Sequence, residues 1–380
     1  MRSIYIDDDL AAIRDQVRDY VERELVPNVE QWEEERVVPR EVLDEMGKLG
    51  FFGLRIPEEY GGLGMGHIAT AVFAEEMGRT TSGGTTITVL VHTDLATPYV
   101  TKFGTEEQKA RWLPKFATGE LITAIAVTEP DAGSDVAAIR TRARRDGEGW
   151  RINGTKMFIT NGGFADVVFV AAKTNTEVKG SRGISIFAVE KDSEGFTASR
   201  ALEKMGWHAS NTAELVFDDV WVPEDHLVGE ENQGFYHIMD NFQNERLAIM
   251  GAAIGEAQKA IELTLDYVKD RQVFGEPLWE KQAVRQRLAM RQAEVDAGRE
   301  LVYKAAWLTD QGEDSVRLVS EVKALVGELE NRVLYDCVQF HGGMGFITES
   351  TIERMYRDAR IASIGGGATE VMLEEVAKRL

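Results

Sequence analysis

The sequence places a charged pair inside an otherwise apolar stretch. Residues 241–250 read NFQNERLAIM, in which Glu245 and Arg246 interrupt a run of hydrophobic side chains. Ionised side chains are almost never buried unless they are paired or used. If the stretch is helical, one face carries four residues spaced by four, three and four: Ile238, Phe242, Glu245 and Ile249. Glu245 is therefore predicted to point into the interior, where a carboxylate could act as a general base.

A purely structural role is the alternative for this glutamate. Glu245 could pair with Arg246 or with another cation and serve packing alone. Adjacent helical residues diverge by about 100°, so these two side chains do not face each other well. The catalytic interpretation is favoured, and Glu370 is the second candidate base.

Several common catalytic centres are not indicated by the sequence. The six histidines are scattered without ligand-like spacing, so no metal site is predicted. The sequence contains no GxSxG elbow, no GxxxxGK[ST] phosphate loop and no GxGxxG dinucleotide motif. The single cysteine, Cys337, lies in the helical pattern LYDCVQF and is predicted to be a core residue.

Composition excludes several classes of partner. The net charge of −21 and the pI of about 4.8 argue against binding to nucleic acid or to an anionic membrane. One cysteine allows no intrachain disulfide, which fits a reducing compartment. We find no secretory or transit pattern at the N-terminus and no apolar run of the roughly 20 residues that span a bilayer. A cytoplasmic protein is expected.

Two further stretches and one pair of glycine-rich segments could bind a ligand. AVTEPDAGSD at 126–135 offers hydroxyls and backbone N–H groups, and GTKMFITNG at 154–162 offers an aromatic ring beside a hydroxyl. QFHGGMGF at 339–346 and IASIGGGATEVM at 361–372 contain glycines that permit close approach, and the second opens a helix whose N-terminus favours anions. Taken alone, the first stretch is better explained as an ordinary turn and the second as a barrel strand. The glycine-rich segments could be two loops that connect helices.

The elements that must position these residues fall into three consecutive regions with different secondary-structure patterns. Helical periodicity dominates residues 1–120, with apolar positions on one face at Leu10, Ile13, Val17, Val21 and Leu25. Short Val-, Ile-, Phe- and Thr-rich segments across 121–230 predict a small antiparallel barrel or sandwich. Long amphipathic stretches from 231 to 380 predict a helical bundle of four or more helices. The predicted class is α+β, mostly α.

Together these motifs resemble those of the acyl-CoA dehydrogenase family. The similarity spans almost the whole chain, in five ordered signatures: AVTEPDAGSD, KMFITNG, FDDVWVPEDHLVG, DRQVFG and QFHGGMGF. It implies an N-terminal helical domain, a middle β-barrel domain and a C-terminal four-helix bundle. It also implies bound FAD, an acyl-CoA substrate, an electron-transfer flavoprotein as partner, and a homotetramer or homodimer with FAD contacts across subunits.

The resemblance also assigns binding residues. It implies flavin and ribityl–phosphate contacts from Val127, Thr128, Ser134, Phe158, Ile159 and Thr160. It implies contacts from an adjacent subunit or near the pyrophosphate from Arg271, Phe274, Gln282, Gln339, Gly342, Gly343, Thr369 and Glu370. Substrate contacts are expected from Ser134, Asn244, Arg246, Gly366 and Gly367.

One departure from the family pattern decides the candidate base. Many members carry the catalytic glutamate in a loop before the last helix, where this chain has Gly366, which cannot move a proton. A smaller branch, which includes isovaleryl-CoA and long-chain acyl-CoA dehydrogenases, carries the base on the bundle helix in a Glu-Arg pair. Glu245 and Arg246 match that branch. The expected reaction is α,β-dehydrogenation of an acyl-CoA thioester, with a flavin-dependent oxidase or oxygenase, or a non-enzymatic FAD- or acyl-binding protein, as alternatives.

Overall fold

The first part of the chain is a set of helices packed around an apolar core. A computed structural model describes residues 3–380, without the side chain of Arg200. Its helices here are α1 Asp8–Tyr20, α2 Val29–Glu35, α3 Arg40–Lys48, α4 His67–Gly78, α5 Gly83–Leu90, α6 Pro98–Phe103 and α7 Glu106–Ala117. A π-helical segment, Val91–Ala96, joins α5 to α6. Pro98 is the first residue of α6, a position that tolerates proline because its missing N–H would have no partner within the helix.

The middle part is a sheet with a core of its own. Its strands are β1 Thr123–Ala126, β2 Arg142–Asp146, β3 Gly149–Thr160, β4 Val167–Lys173, β5 Ile184–Glu190, β6 Phe196–Ala201, β7 Thr212–Pro223 and β8 Leu227–Val228. The strand order is β6-β7-β3-β2-β4-β5-β8, with β1 pairing in parallel with β4. Buried side chains of six strands form one apolar cluster, among them Trp150, Val168, Phe187 and Leu215.

The last part is a helical bundle. It consists of α8 Gly234–Asp270, α9 Gln282–Asp310, α10 Val316–His341, α11 Thr351–Ala359 and α12 Thr369–Ala377. A small hairpin, β9 Gln272–Val273 and β10 Glu276–Pro277, connects α8 to α9. Cys337 is fully buried on α10, as predicted, and burial raises the pKa of its thiol to about 12. The predicted α+β, mostly helical class is confirmed.

Helices α4 and α8 cross at very short distance. A Cβ atom at Gly255 would lie 1.8 Å from the carbonyl oxygen of Glu75, and one at Gly78 would lie 2.0 Å from that of Ala252. Both values are well below any real contact distance, so only glycine lets the two backbones approach this closely. Since Glu245 lies on α8, this crossing fixes the helix that carries the candidate base.

Within residues 3–380, no helix is both long and apolar enough to cross a membrane.

Candidate active site

Glu245 lies on the face of α8 that the spacing predicts. Ile238 on the same face is fully buried, while Phe242, Glu245 and Ile249 are partly accessible. Asn241 and Asn244, on the adjoining face, donate to the carbonyl oxygens of Leu95 and Asp94 at 2.9 and 2.7 Å. These two amides fasten α8 to the π-helical segment Val91–Ala96.

That segment also contacts the sheet. The amide and hydroxyl of Thr123 on β1 lie 3.1 and 3.0 Å from His92 Nδ1, whose Nε2 lies 2.9 Å from the carbonyl of Phe116. Nδ1 must therefore accept and Nε2–H must donate. Burial lowers the pKa of His92 to about 4, which keeps the ring neutral. The segment thus connects α8 to the start of the β-domain.

The glycine loop after α11 converges on the carboxylate of Glu245. Gly366 has φ +65°, in the left-handed region that favours glycine. A Cβ atom at Gly366 would lie 3.7 Å from Glu245 Oε1 and 3.0 Å from Ile249 Cδ1. A side chain on the loop would therefore start in van der Waals contact with the carboxylate on the helix.

Burial makes Glu245 an unusually basic carboxylate. Removal from water raises its pKa to about 7, while the nearby cations Arg246 and Lys323 partly oppose the rise. Throughout residues 3–380 no ion pair or hydrogen bond holds this carboxylate. It is therefore free to accept a proton from a bound molecule.

Arg246 is bonded to the glycine loop and does not pair with Glu245. Its Nε donates to the carbonyl oxygen of Gly366 at 3.2 Å, and its guanidinium lies 5.7 Å from the centre of the Phe242 ring. Its side chain is only 8% exposed. The purely structural Glu245–Arg246 pair considered from the sequence is therefore not formed in the described residues.

The end of β3 presents an exposed aromatic ring. Phe158 is 66% exposed and has φ +62°, an uncommon backbone conformation for an aromatic residue that often marks a functional site. The pairing of β3 with β7 shifts register between Lys156 and Ile159, so a bulge turns this side chain outward. The amide of Met157 donates to the carbonyl of Thr128 at 2.9 Å, which brings the 126–135 loop beside this strand end.

Comparisons with known proteins agree with this geometry. Three family models cover the chain: acyl-CoA dehydrogenase N-terminal domain at 7–120, middle domain at 124–220 and C-terminal domain at 232–380. The chain belongs to the acyl-CoA dehydrogenase family. The mouse long-chain specific acyl-CoA dehydrogenase is 40% identical over 97% of this chain and 85% of its own length.

Solved acyl-CoA dehydrogenase structures share the whole fold. An acyl-CoA dehydrogenase from Geobacillus kaustophilus superposes with a TM-score of 0.96 at 41% identity, covering 100% of this chain and 99% of that one. A glutaryl-CoA dehydrogenase from Mycobacterium smegmatis, solved in complex with FADH2, gives 0.92 at 33% identity, with 99% and 95% covered. This chain is thus an oxidoreductase acting on CH–CH groups, and its cofactor is FAD.

The residues at the end of β3 fit such a cofactor. Phe158 offers an exposed ring and Thr160 a partly accessible hydroxyl, while Ile159 points into the core at 3% exposure. Val127 is nearly buried and Ser134 is exposed on the neighbouring loop. A flat ring edged by hydrogen-bonding groups matches this combination of apolar face, hydroxyls and backbone amides.

Sequence reasoning missed the buried lysine that holds this loop. Lys156 is fully buried on β3, and its Nζ donates to Val127 O at 3.0 Å and to Glu129 Oε1 at 2.8 Å. Glu129 also accepts from the amides of Arg140 and Thr141, at 2.5 and 2.9 Å. Burial lowers the pKa of Lys156 to about 8. Lys156 and Phe158 are two residues apart on the strand, but the bulge between Lys156 and Ile159 turns them to opposite sides. Strand periodicity therefore gave no signal for the buried lysine.

The second group of predicted cofactor residues forms an exposed patch at the far end of the bundle. Phe274 is 99% exposed with φ +50° on the hairpin, and Arg271, Gln282, Gln339, Gly342 and Gly343 are also exposed. Tyr267 stacks on His341 at 4.2 Å, which joins the end of α8 to the end of α10. The six residues therefore lie together, as the resemblance implies for a shared binding surface.

The remaining predicted residues lie around the glycine loop. Gly367 has φ +113° and borders Met372 and Arg246. Thr369 begins α12 and donates to Glu328 at 3.0 Å, while Glu370 in the same turn is exposed. Asn244 uses its amide nitrogen in packing and leaves its buried Oδ1 without a partner among the described residues.

Proposed function

We propose that this acyl-CoA dehydrogenase removes the α-proton of an acyl-CoA thioester with Glu245 and releases a 2-enoyl-CoA. One observation carries the proposal. Glu245 Oε1 lies 3.7 Å from the position that a side chain on Gly366 would take, so a base on the helix reaches the space of a base on the loop. The identity of this chain to long-chain enzymes supports the same assignment.

Three residues have separate proposed roles in proton removal: Glu245, Gly366 and Arg246. A carboxylate with a pKa near 7 is a stronger base than an ordinary glutamate, and its apolar surroundings are the reason. The backbone N–H of Gly366 is the proposed donor to the thioester oxygen, where negative charge develops as the proton leaves. Arg246 donates a hydrogen bond to the carbonyl oxygen of Gly366. Because Arg246 follows Glu245 on α8, this bond fixes the position of the Gly366 N–H relative to the carboxylate. A bound FAD would supply the acceptor for the hydride that leaves the β-carbon.

We further infer that the FAD-binding site is completed by residues from a second copy of the chain. Arg271 and Glu245 are about 39 Å apart along α8, at about 1.5 Å per residue. One cofactor with its flavin at Glu245 is out of reach of the patch around Arg271 in the same subunit. A homotetramer or homodimer in which this patch meets the neighbour's FAD is the arrangement we propose.

Replacing Arg271 with alanine is expected to weaken FAD binding by roughly tenfold to a hundredfold, the value of a charge-assisted hydrogen bond. Equilibrium dialysis of the apoprotein with FAD measures the change, and light scattering shows whether the oligomer persists. Arg317→Ala is the control, because Arg317 pairs with Glu321 on the surface of α10 away from the patch. Unchanged FAD affinity in Arg271→Ala would contradict the cross-subunit contact.

Anaerobic mixing with a panel of acyl-CoAs tests the function itself. Bleaching of the flavin absorbance with a saturated thioester, and appearance of the enoyl product, support dehydrogenation. Reoxidation by an electron-transfer flavoprotein supports the proposed partner, whereas rapid oxygen uptake during turnover would favour an oxidase. Absence of bleaching with every thioester would leave only the non-enzymatic alternative.

The rate of flavin reduction is expected to rise with pH through about 7. Burial raises the pKa of Glu245, so the carboxylate is protonated and inactive below this value and ionised above it. The pH profile of kcat/KM reports the ionisation in the free enzyme. Stopped-flow measurement of the flavin reduction rate between pH 5.5 and 9 gives this pH dependence. A rate that falls as the pH rises across this range would exclude Glu245 as the base.

A further inference from the structure

Three residues of α10 form a seam against the segment that leads to the glycine loop. Lys323, Gly327 and Asn331 are spaced by one helical turn each. Lys323 Nζ donates to Ala362 O at 2.5 Å, and Asn331 Nδ2 donates to Ala359 O at 3.1 Å. Between them, a Cβ atom at Gly327 would lie 2.6 Å from Ala362 O. The seam therefore sets the position of residues 359–366 on the bundle.

Lys323 is an unusual member of this seam. Its side chain is fully buried, and in the described part of the chain its ammonium donates only to a main-chain carbonyl. A buried ammonium normally has a carboxylate partner, because its desolvation is otherwise uncompensated. Packing alone would be better served by an apolar side chain at this position. Burial lowers the pKa of Lys323 to about 8, so its side chain carries a positive charge below that value. A positive charge retained there without an ion pair calls for another explanation.

The geometry relates this charge to Glu245. The position that a Cβ atom at Gly366 would occupy lies 3.7 Å from Lys323 Cε and 3.7 Å from Glu245 Oε1. The two side chains therefore approach the glycine from α10 and from α8. The other charged groups that act on Lys323 are Arg246 on α8 and Glu328 and Glu330 on α10 itself. Arg246 is bonded to Gly366 O, so Lys323 is the cation on the α10 side of the loop.

We propose that Lys323 is a positioning residue for proton removal, which holds the glycine loop through Ala362 and favours the ionised form of Glu245. This inference rests on the proposed role of Glu245. Both effects act through other groups: the hydrogen bond fixes the loop that carries the Gly366 N–H, and the ammonium stabilises the carboxylate electrostatically. Lys323 itself touches neither reacting carbon.

Lys323→Met tests the proposal, because methionine keeps the length of the side chain and removes both the donor and the charge. We expect flavin reduction to slow by at least about tenfold, since a misplaced donor is costly to catalysis. The apparent pKa of the reduction step should rise by about one unit, because an opposite charge near the base has been removed. KM for the acyl-CoA should change little. Stopped-flow reduction across pH measures all three.

The matched control is Asn331→Leu, which removes the hydrogen bonds of Asn331 to Ala359 and Ser363 and leaves the charge of Lys323. It is expected to lower thermal stability without moving the apparent pKa. If Lys323→Met does not retain FAD, Lys323→Gln gives the same test with a neutral polar side chain. An unshifted pH profile in the neutral variant would overturn the proposal. That failure is distinct from failure of the proposed function, which would appear as normal reduction in a Glu245→Gln variant.

Discussion

Glu245→Gln is expected to bind FAD normally and to lose anaerobic flavin reduction by at least about a hundredfold, the usual contribution of a general base. Glutamine has the same shape and cannot accept the α-proton. In the described chain the carboxylate makes no ion pair whose loss would unsettle α8. The variant should therefore keep its fold while losing the chemical step, which stopped-flow absorbance of the flavin measures directly.

Glu370→Gln is the matched control for this experiment. Glu370 lies four residues after Gly366, and it is exposed in the first turn of α12. Near-wild-type reduction is expected because its side chain is turned to solvent. Normal reduction in Glu245→Gln combined with loss in Glu370→Gln would transfer the role of base to α12. Loss in both variants would indicate damage to the glycine loop that lies between them.

The position of the candidate base could be inferred from the sequence because two independent signals meet there. The spacing of Ile238, Phe242 and Glu245 predicted an inward carboxylate, and the loop glutamate of many relatives is replaced by Gly366. The structure adds that the two positions share one space, at 3.7 Å. It also gives a steric reason for the glycine, since φ +65° and the contact with Ile249 disfavour any side chain.

The buried lysines could not be predicted in the same way. Lys156 and Lys323 each donate to a main-chain carbonyl, of Val127 and Ala362, that lies far away in sequence. Main-chain acceptors are present at every residue and leave no compositional signal. A sequence pattern identifies a carboxylate in an apolar stripe, but it does not show which carbonyl will meet a lysine on another element.

The candidate cofactor residues could be proposed only as a set. Phe158 alone is compatible with any barrel strand, and its outward direction depends on a bulge that periodicity does not reveal. Arg271 directly follows α8 and Gln339 lies on α10, and their proximity follows from the stacking of Tyr267 on His341. The family resemblance supplied the grouping in advance, because ordered motifs carry tertiary information that local spacing lacks.

The close crossing of α4 and α8 leads to the second large expected effect. Gly255→Ala is expected to lower the free energy of unfolding by about 3 kcal/mol, the upper range of overpacking. The new Cβ would lie 1.8 Å from the main-chain carbonyl oxygen of Glu75, which no side-chain rotation can relieve. Helix propensity acts in the opposite direction, since alanine is favoured over glycine by about 1 kcal/mol. Denaturant unfolding of the FAD-loaded protein measures the balance.

Gly298→Ala on α9 is the control that separates the effect of the close helix crossing on stability from the effect of helix propensity. The three nearest atoms to its new Cβ all belong to side chains, and the two tight contacts are with chain ends that can rotate away: Ile254 Cδ1 at 3.0 Å and Leu329 Cδ2 at 3.2 Å. Its effect should stay within about 1 kcal/mol in either direction, because the propensity gain offsets a mild contact. Gly255→Ala should also slow flavin reduction, since displacing α8 moves Glu245 relative to Gly366. A Gly255→Ala protein as stable as the wild type would mean that the two helices can separate without cost, and that the crossing does not fix the base.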